Sequence, residues 1–225
     1  MAKKIPKKTT TVREHPLHVP VSKNNPTGIT IRDRHLRRLN GTYLDSTEIE
    51  SIFKNYDRKG LVFPTKGKLK EYKNADKYDE VIAVWTDYFN KKFNVEPPLD
   101  PDVVKALIAS ESGFDSDPLR NRKIALGIAQ ITKKTFKVLQ DPNGEVKEFI
   151  FKGFLQKDLK NPNISIPMAI FWLHRKRETA TNRLQRTPNY EEIILEYKGL
   201  LNSSTKLKDK ALEVFRGHYV SLKGK

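Results

Sequence analysis

The chain has 225 residues, 43 Lys and Arg against 27 Asp and Glu, a formal net charge of +16 and no Cys. That length suits one domain of ordinary size with an appendage; the missing Cys excludes disulfides, thiol nucleophiles and thiolate metal sites. No apolar run approaches the ~20 residues of a membrane span, and the charge calls for an anionic partner: nucleic acid, an anionic membrane surface or the polyanionic bacterial wall.

The charge is front-loaded. Residues 1–40 hold ten Lys and Arg against Glu14 and Asp33, half of the whole excess, with prolines at 6, 16, 20 and 26 and no helical period among the apolar residues. They read as a basic extended or disordered arm. Its start, Met1 to Lys8, is basic but runs into no apolar segment, so no secretory signal is read. Residues 41–74 read as a linker or short helical preface, with a helix capped by Asp45 or Ser46 and an extended piece at Gly60–Pro64. Residues 75–225 read as the folded domain.

Within that domain, Asp76–Phe93 places Tyr78, Val81, Ile82, Trp85, Tyr88 and Phe89 at helical spacing. Asp100-Pro101 opens a second helix that stops at Gly113. A short helix follows at 132–140. Gly144–Phe151, partly alternating after Pro142-Asn143-Gly144, reads as a small β-hairpin. Further helices are expected at 165–184, at 188–201 after Thr187 as cap, and at 205–221. The fold class is mainly α with a minor β element.

The helix from Pro101 carries an apolar stripe of Val104, Leu107 and Ile108, and the next position on that face is Glu111. A carboxylate continuing a buried stripe is costly when charged, and the negative end of the helix dipole disfavours its ionisation further. A general acid working near neutral pH requires that kind of setting.

Around Glu111 lie three further phrases in order. Glu111-Ser112-Gly113-Phe114 is followed by Gly127-Ile128-Ala129-Gln130, with Thr132 and Thr135 behind it. Asp158-Leu159 to Asn163-Ile164 then leads into a helix bearing Trp172-Leu173, and Glu196-Tyr197-Lys198-Gly199 closes the set. Over roughly residues 78–200 this order resembles the lysozyme-like lytic transglycosylase (SLT) family. Glu196 and Lys198 stand where that family has Ala and Asn, the Gly comes one position early, and the second phrase lacks the family's Met; such departures fit a divergent phage-encoded or secreted-effector branch.

The resemblance implies a lysozyme-like fold, mainly α with a small β-hairpin, behind the basic arm. It implies an enzyme that cleaves the β-1,4 bond between N-acetylmuramic acid and N-acetylglucosamine and leaves a 1,6-anhydro end. Glu111 is then the single acid and base, Tyr197 orients it or steadies developing positive charge, and Ser112, Gly127, Ile128 and Gln130 contact substrate. Peptidoglycan glycan strands are the expected partner, with no cofactor and no metal. The enzyme would act in the periplasm or at the cell wall, reached by lysis, a virion or specialised secretion, with residues 1–40 available to dock a delivery partner.

Other readings stay open. A goose-type lysozyme would add a second carboxylate, for which Asp115, Asp117, Glu145 and Glu148 are candidates. A nucleic-acid-binding protein would explain the arm but not the ordered phrases, and no helix-turn-helix or zinc-finger signature supports it. A wall-binding module without activity would account for the altered phrase around Tyr197. His15, His18 and His35 sit in a Pro-rich arm and are not read as a metal site, and His174 and His218 are expected at the surface.

Overall fold

The structure, a computed structural model, describes residues 9–12, 15–18, 29–32, 35–38, 42–118, 124–146 and 149–224. It is mainly helical. In chain order the elements are β1 (Thr9–Val12), β2 (His15–His18), β3 (Ile29–Arg32), β4 (His35–Arg38), β5 (Thr42–Tyr43), α1 (Ser46–Asn55), a 3-10 turn (Ala75–Tyr78), α2 (Asp79–Phe93), α3 (Pro101–Ser112), β6 (Ala125–Leu126), β7 (Ile131–Thr132), α4 (Lys133–Gln140), β8 (Phe149–Ile150), a second 3-10 turn (Gln156–Lys160), α5 (Pro162–Leu184), α6 (Tyr190–Tyr197) and α7 (Thr205–Lys223).

The helix at the centre is α3. Asp100 caps it by accepting from the Asp102 N–H at 2.9 Å, and Pro101 takes the first helical position. Every residue from Pro101 to Ala109 is buried, with α7 and α2 packed against the helix. Val103, Val104, Leu107 and Ile108 are fully buried, each contributing about 1.5–3 kcal/mol of transfer free energy. α5, capped by Asn161 with Pro162 at the first position, packs on α2 and α6. Trp85 and Phe89 of α2 meet Phe171 of α5 in one aromatic core, with Phe89 and Phe171 centroids 5.6 Å apart.

A charged cluster is buried in this core. Lys105 of α3 is fully buried, and its ammonium lies 2.7 Å from Asp76 and 2.7 Å from Asp79 while donating to the Thr65 carbonyl at 2.9 Å. Burial pushes the Asp79 carboxyl up to about 6 despite Lys105 beside it. Asp76 ends below the usual range, because Lys105 and the Gly67 N–H together outweigh the effect of burial. The cluster ties the Thr65–Asp79 stretch to the helix that carries Glu111.

Residues 42–74 wrap the helical core. Asp45 caps α1 by accepting from the Glu48 N–H at 2.9 Å, and Leu44, Ile49 and Leu69 join the same buried cluster as α2, α3 and α5.

Two expectations change. The small hairpin is formed by β6 and β7, with Ala125 opposite Thr132 and Leu126 opposite Ile131, and not by 144–151. Phe149, Ile150 and Phe151 are all buried, which leaves no solvent face for a surface hairpin; β8 instead pairs in parallel with β5, Thr42 facing Phe149. The helix expected from Pro188 begins at Tyr190, because Asn189 and Glu192 form a reciprocal capping box. Within the basic arm, β2 pairs with β3 and β1 with β4, both antiparallel. His15 faces Arg32 and Thr9 faces Arg38 in one unslipped register, so the arm's extended segments are paired strands.

Candidate active site

The chain turns out of α3 through two left-handed residues, Gly113 (φ 59°) and Phe114 (φ 64°). A Cβ on Gly113 would lie 2.8 Å from the Tyr72 ring, so the stop needs glycine for space as well as conformation. Phe114 carries its left-handed backbone at a cost of about 1–2 kcal/mol and is buried against Tyr72, with ring centroids 5.8 Å apart. This turn leaves Glu111 half-buried in the last turn of α3, at one wall of a cleft of about 270 Å³. Gln130, Thr132, Trp172, Tyr197 and Lys198 also line the cleft, and the exposed Ile124 stands on its rim.

The opposite wall is the β6–β7 turn, and three successive carbonyls of it are each held by a side chain. The Gln130 Nε2 donates to the Gly127 carbonyl at 2.9 Å. The Ser112 Oγ donates to the Ile128 carbonyl at 2.6 Å. The Tyr197 hydroxyl donates to the Ala129 carbonyl at 2.9 Å. Gly127 (φ 77°) lets the turn touch the chain behind it: a Cβ there would sit 2.0 Å from the Leu159 carbonyl oxygen. Ends of α3 and α6 are thereby fastened to one short hairpin.

All six residues singled out from the sequence meet at this place, at different depths. Glu111, Gln130 and Tyr197 line the cleft. Ser112 and Gly127 support the turn from behind, and the Ile128 side chain is fully buried. Gln130 adopts a left-handed backbone (φ 49°); its Oε1 is buried and has no hydrogen-bond partner among the described residues. Burial drives the Tyr197 phenol well above its ordinary pKa, and the Glu111 charge adds to this, so the hydroxyl remains a donor at any working pH.

Lys198, read from the sequence only as a departure, donates from its ammonium to Glu111 Oε1. Its signal was its position next to Tyr197 at the end of α6. Glu196, the other departure, is buried and paired with Arg183 at 3.1 Å, with Lys176 at 4.0 Å. The Lys176 ammonium sits 4.2 Å over the Trp172 ring, a cation–π contact beside the cleft.

The candidate second carboxylates fall elsewhere. Asp115 and Glu145 are exposed, Asp117 pairs with Lys160 at 2.8 Å, and none of the three lines the cleft. Glu148 lies outside the described residues, as do residues 121–123 of the loop before β6. Among the described residues no cluster of His, Asp and Glu is arranged to hold a metal ion, and no helix is long and apolar enough to cross a membrane. Both α-helical histidines depart from expectation: His174 is buried in the aromatic core, and His218 is half-buried with its Nε2 3.1 Å from the Tyr72 hydroxyl. α5 and α7 turn those faces inward despite their basic neighbours.

A carboxylate at the end of a buried helix, facing a cleft walled by a short β-hairpin in a mainly helical domain, defines a lysozyme-like architecture. The profile of the transglycosylase SLT domain family matches residues 88–209, more than half of the chain and every residue of the cleft wall. The chain belongs to that family, with a lytic-transglycosylase-type function directed at peptidoglycan. No curated protein and no solved structure matches it.

Proposed function

We propose that the protein is a peptidoglycan lytic transglycosylase that cleaves the β-1,4 bond between N-acetylmuramic acid and N-acetylglucosamine with Glu111 as its only acid and base. Glu111 gives its proton to the glycosidic oxygen as the bond to C1 breaks. The 2-acetamido group assists at C1; Glu111 then takes the proton of the C6 hydroxyl while that oxygen bonds to C1. The proton is returned, no water is consumed, and the strand ends in a 1,6-anhydro sugar.

The observation that carries this reading is that Glu111 is the one carboxylate among the described residues lining the cleft. Glycosidases that activate water or form a glycosyl-enzyme ordinarily need a second carboxylate across the scissile bond. A single carboxyl group suits a reaction in which the sugar supplies its own nucleophile.

The other residues follow from their positions. Gln130 Oε1, buried and unpartnered, accepts from an acetamido N–H or sugar hydroxyl. Tyr197, a permanent donor fixed to the turn, keeps the wall at a set distance from Glu111. Ser112, Gly127 and Ile128 serve substrate through the shape of the turn. Residues 1–40 act as a basic docking arm toward a delivery partner, and the enzyme reaches the wall by lysis, a virion or specialised secretion; deleting the arm should reduce delivery and leave cleavage of isolated sacculi intact.

The test is release of soluble glycan from purified sacculi by wild type and Glu111→Gln. Loss of one positioned general acid lowers the rate about 10²–10⁴-fold. Release by wild type with reducing ends in place of anhydro ends would make the enzyme a hydrolase, and no release by wild type would refute both.

A further inference from the structure

The ammonium of Lys198 is the feature that this mechanism leaves without a role. It extends from the end of α6 across the cleft to Glu111 Oε1, and both side chains are largely withdrawn from water, 19% and 17% exposed. Its backbone is fixed: the Lys198 N–H donates to the Ile194 carbonyl at 2.9 Å, and Gly199 (φ 71°) turns the chain away immediately after. The neighbouring acid, Glu196, is engaged by Arg183 and Lys176 and so is already committed elsewhere.

A general acid must carry a proton, and a protonated carboxyl has no charge with which to hold an ammonium. In the state ready for proton donation, Lys198 therefore loses its anion. The remaining described lining residues are neutral: Gln130, Thr132, Thr135, Trp172 and Tyr197, with aliphatic side chains beside them. A partly desolvated cation left unpaired is costly. The deficit is removed when the ligand entering the cleft brings an anionic group to the same place.

We propose that Lys198 is an exchangeable counter-ion that selects substrate: it holds Glu111 in the free enzyme and transfers to a carboxylate of the bound glycan as Glu111 takes up a proton from solvent. This rests on the reading of Glu111 as the acid. The ligand class is a glycan strand bearing carboxylate close to the scissile bond, supplied either by the lactyl group of a peptide-free muramyl residue or by a stem peptide. A neutral chitin-type oligosaccharide offers no such group. Lys198 is a specificity-determining residue, since its consequence is a preference between ligands and not a bond-making step.

The experiment measures kcat and KM of wild type, Lys198→Met and Lys198→Arg on three substrates: peptide-free glycan strands, peptide-bearing strands and chito-oligosaccharides. Wild type should favour at least one anionic substrate over the neutral one, and the arm that is favoured names the source of the carboxylate. Lys198→Met should raise KM for that substrate about tenfold, the loss of one charge-assisted hydrogen bond, while KM for the neutral oligosaccharide, which has no group for the ammonium to hold, should not rise with it. Lys198→Arg should restore the preference. An equal fall of kcat on all three substrates in Lys198→Met, or an unchanged preference, overturns the proposal.

Binding separates this from failure of the catalytic reading. In Glu111→Gln the ammonium has no carboxylate to hold, so peptide-free or peptide-bearing strands should bind several-fold more tightly than to wild type, and adding Lys198→Met should abolish the gain. Cleavage of no glycan by wild type sinks the catalytic assignment on its own evidence of activity; absence of the affinity gain in Glu111→Gln sinks the counter-ion exchange.

Discussion

The hydroxyl of Tyr197 donates to the carbonyl of Ala129 at 2.9 Å, not to Glu111. Tyr197 thus fixes the hairpin wall relative to α6. Tyr197→Phe removes the donor and leaves the Ala129 carbonyl unpaired in a confined place, an expected loss of about 1–3 kcal/mol. Urea unfolding should show a lower midpoint with an unchanged slope, and sacculus cleavage should fall without being abolished.

Gly127 is a harder constraint. A methyl group there would lie 2.0 Å from the Leu159 carbonyl oxygen, on a backbone with φ 77°. Neither the clash with main chain nor the left-handed conformation is relieved by a side-chain rotation. Gly127→Ala should therefore lower the melting temperature and displace the wall that carries Gln130, with activity falling alongside. An unaltered melting temperature and rate would show that the β6–β7 turn does not approach Leu159 this closely.

Lys105 is the anchor beneath the site. Replacing it by Met keeps the stem and removes the charge that Asp76 and Asp79 share. Breaking a buried ion pair from one side costs about 3–5 kcal/mol, so Lys105→Met should be among the most destabilising single changes in α3. Denaturant unfolding at neutral pH measures it; a loss below about 1 kcal/mol, the range of surface pairs, would contradict the buried cluster.

His174 gives the fold an acid sensitivity. Burial, with the Arg177 charge adding, depresses its pKa from 6.5 to about 3, and neither ring nitrogen has a hydrogen-bond partner among the described residues. Between those values the unfolded chain binds a proton that the native one refuses. The contribution of neutral His174 is present in full above pH 6.5 and is lost as pH falls toward 3, at up to about 1.4 kcal/mol per pH unit. His174→Phe, which keeps the packing on Phe89 and Phe93, should flatten this slope: the stability of wild type relative to the variant should decline between pH 7 and pH 5. A constant difference would contradict it.

Helices with strong punctuation were legible in the sequence. Asp100-Pro101 and Gly113 bound α3 at the expected residues, because capping and a left-handed stop are local effects. The place of Glu111 in the last turn of that helix was legible too, since it follows from the helical spacing of Val104, Leu107 and Ile108. The β elements were not: Phe149 and Ile150 pair with Thr42 and Tyr43 more than a hundred positions away, and no local pattern encodes that partner. The β6–β7 hairpin has only two paired residues in each strand and is held by Ser112 and Tyr197, contacts that exist only once α3 and α6 converge. Lys198 and Glu196 were visible as exceptions, but their partners Glu111 and Arg183 come from other helices. His174 was misjudged because its basic sequence neighbours concealed an inward-facing position on α5.

The most direct test of the central claim is the mass of the glycan ends released from purified sacculi by wild type and by Glu111→Gln. Wild type should release muropeptides with 1,6-anhydro ends, each one water lighter than its hydrolysed counterpart, and Glu111→Gln should reduce that release at least a hundredfold, the lower end of about 10²–10⁴ for a lost general acid. Anhydro ends appearing at an undiminished rate in Glu111→Gln would contradict the assignment of Glu111 as the acid and base.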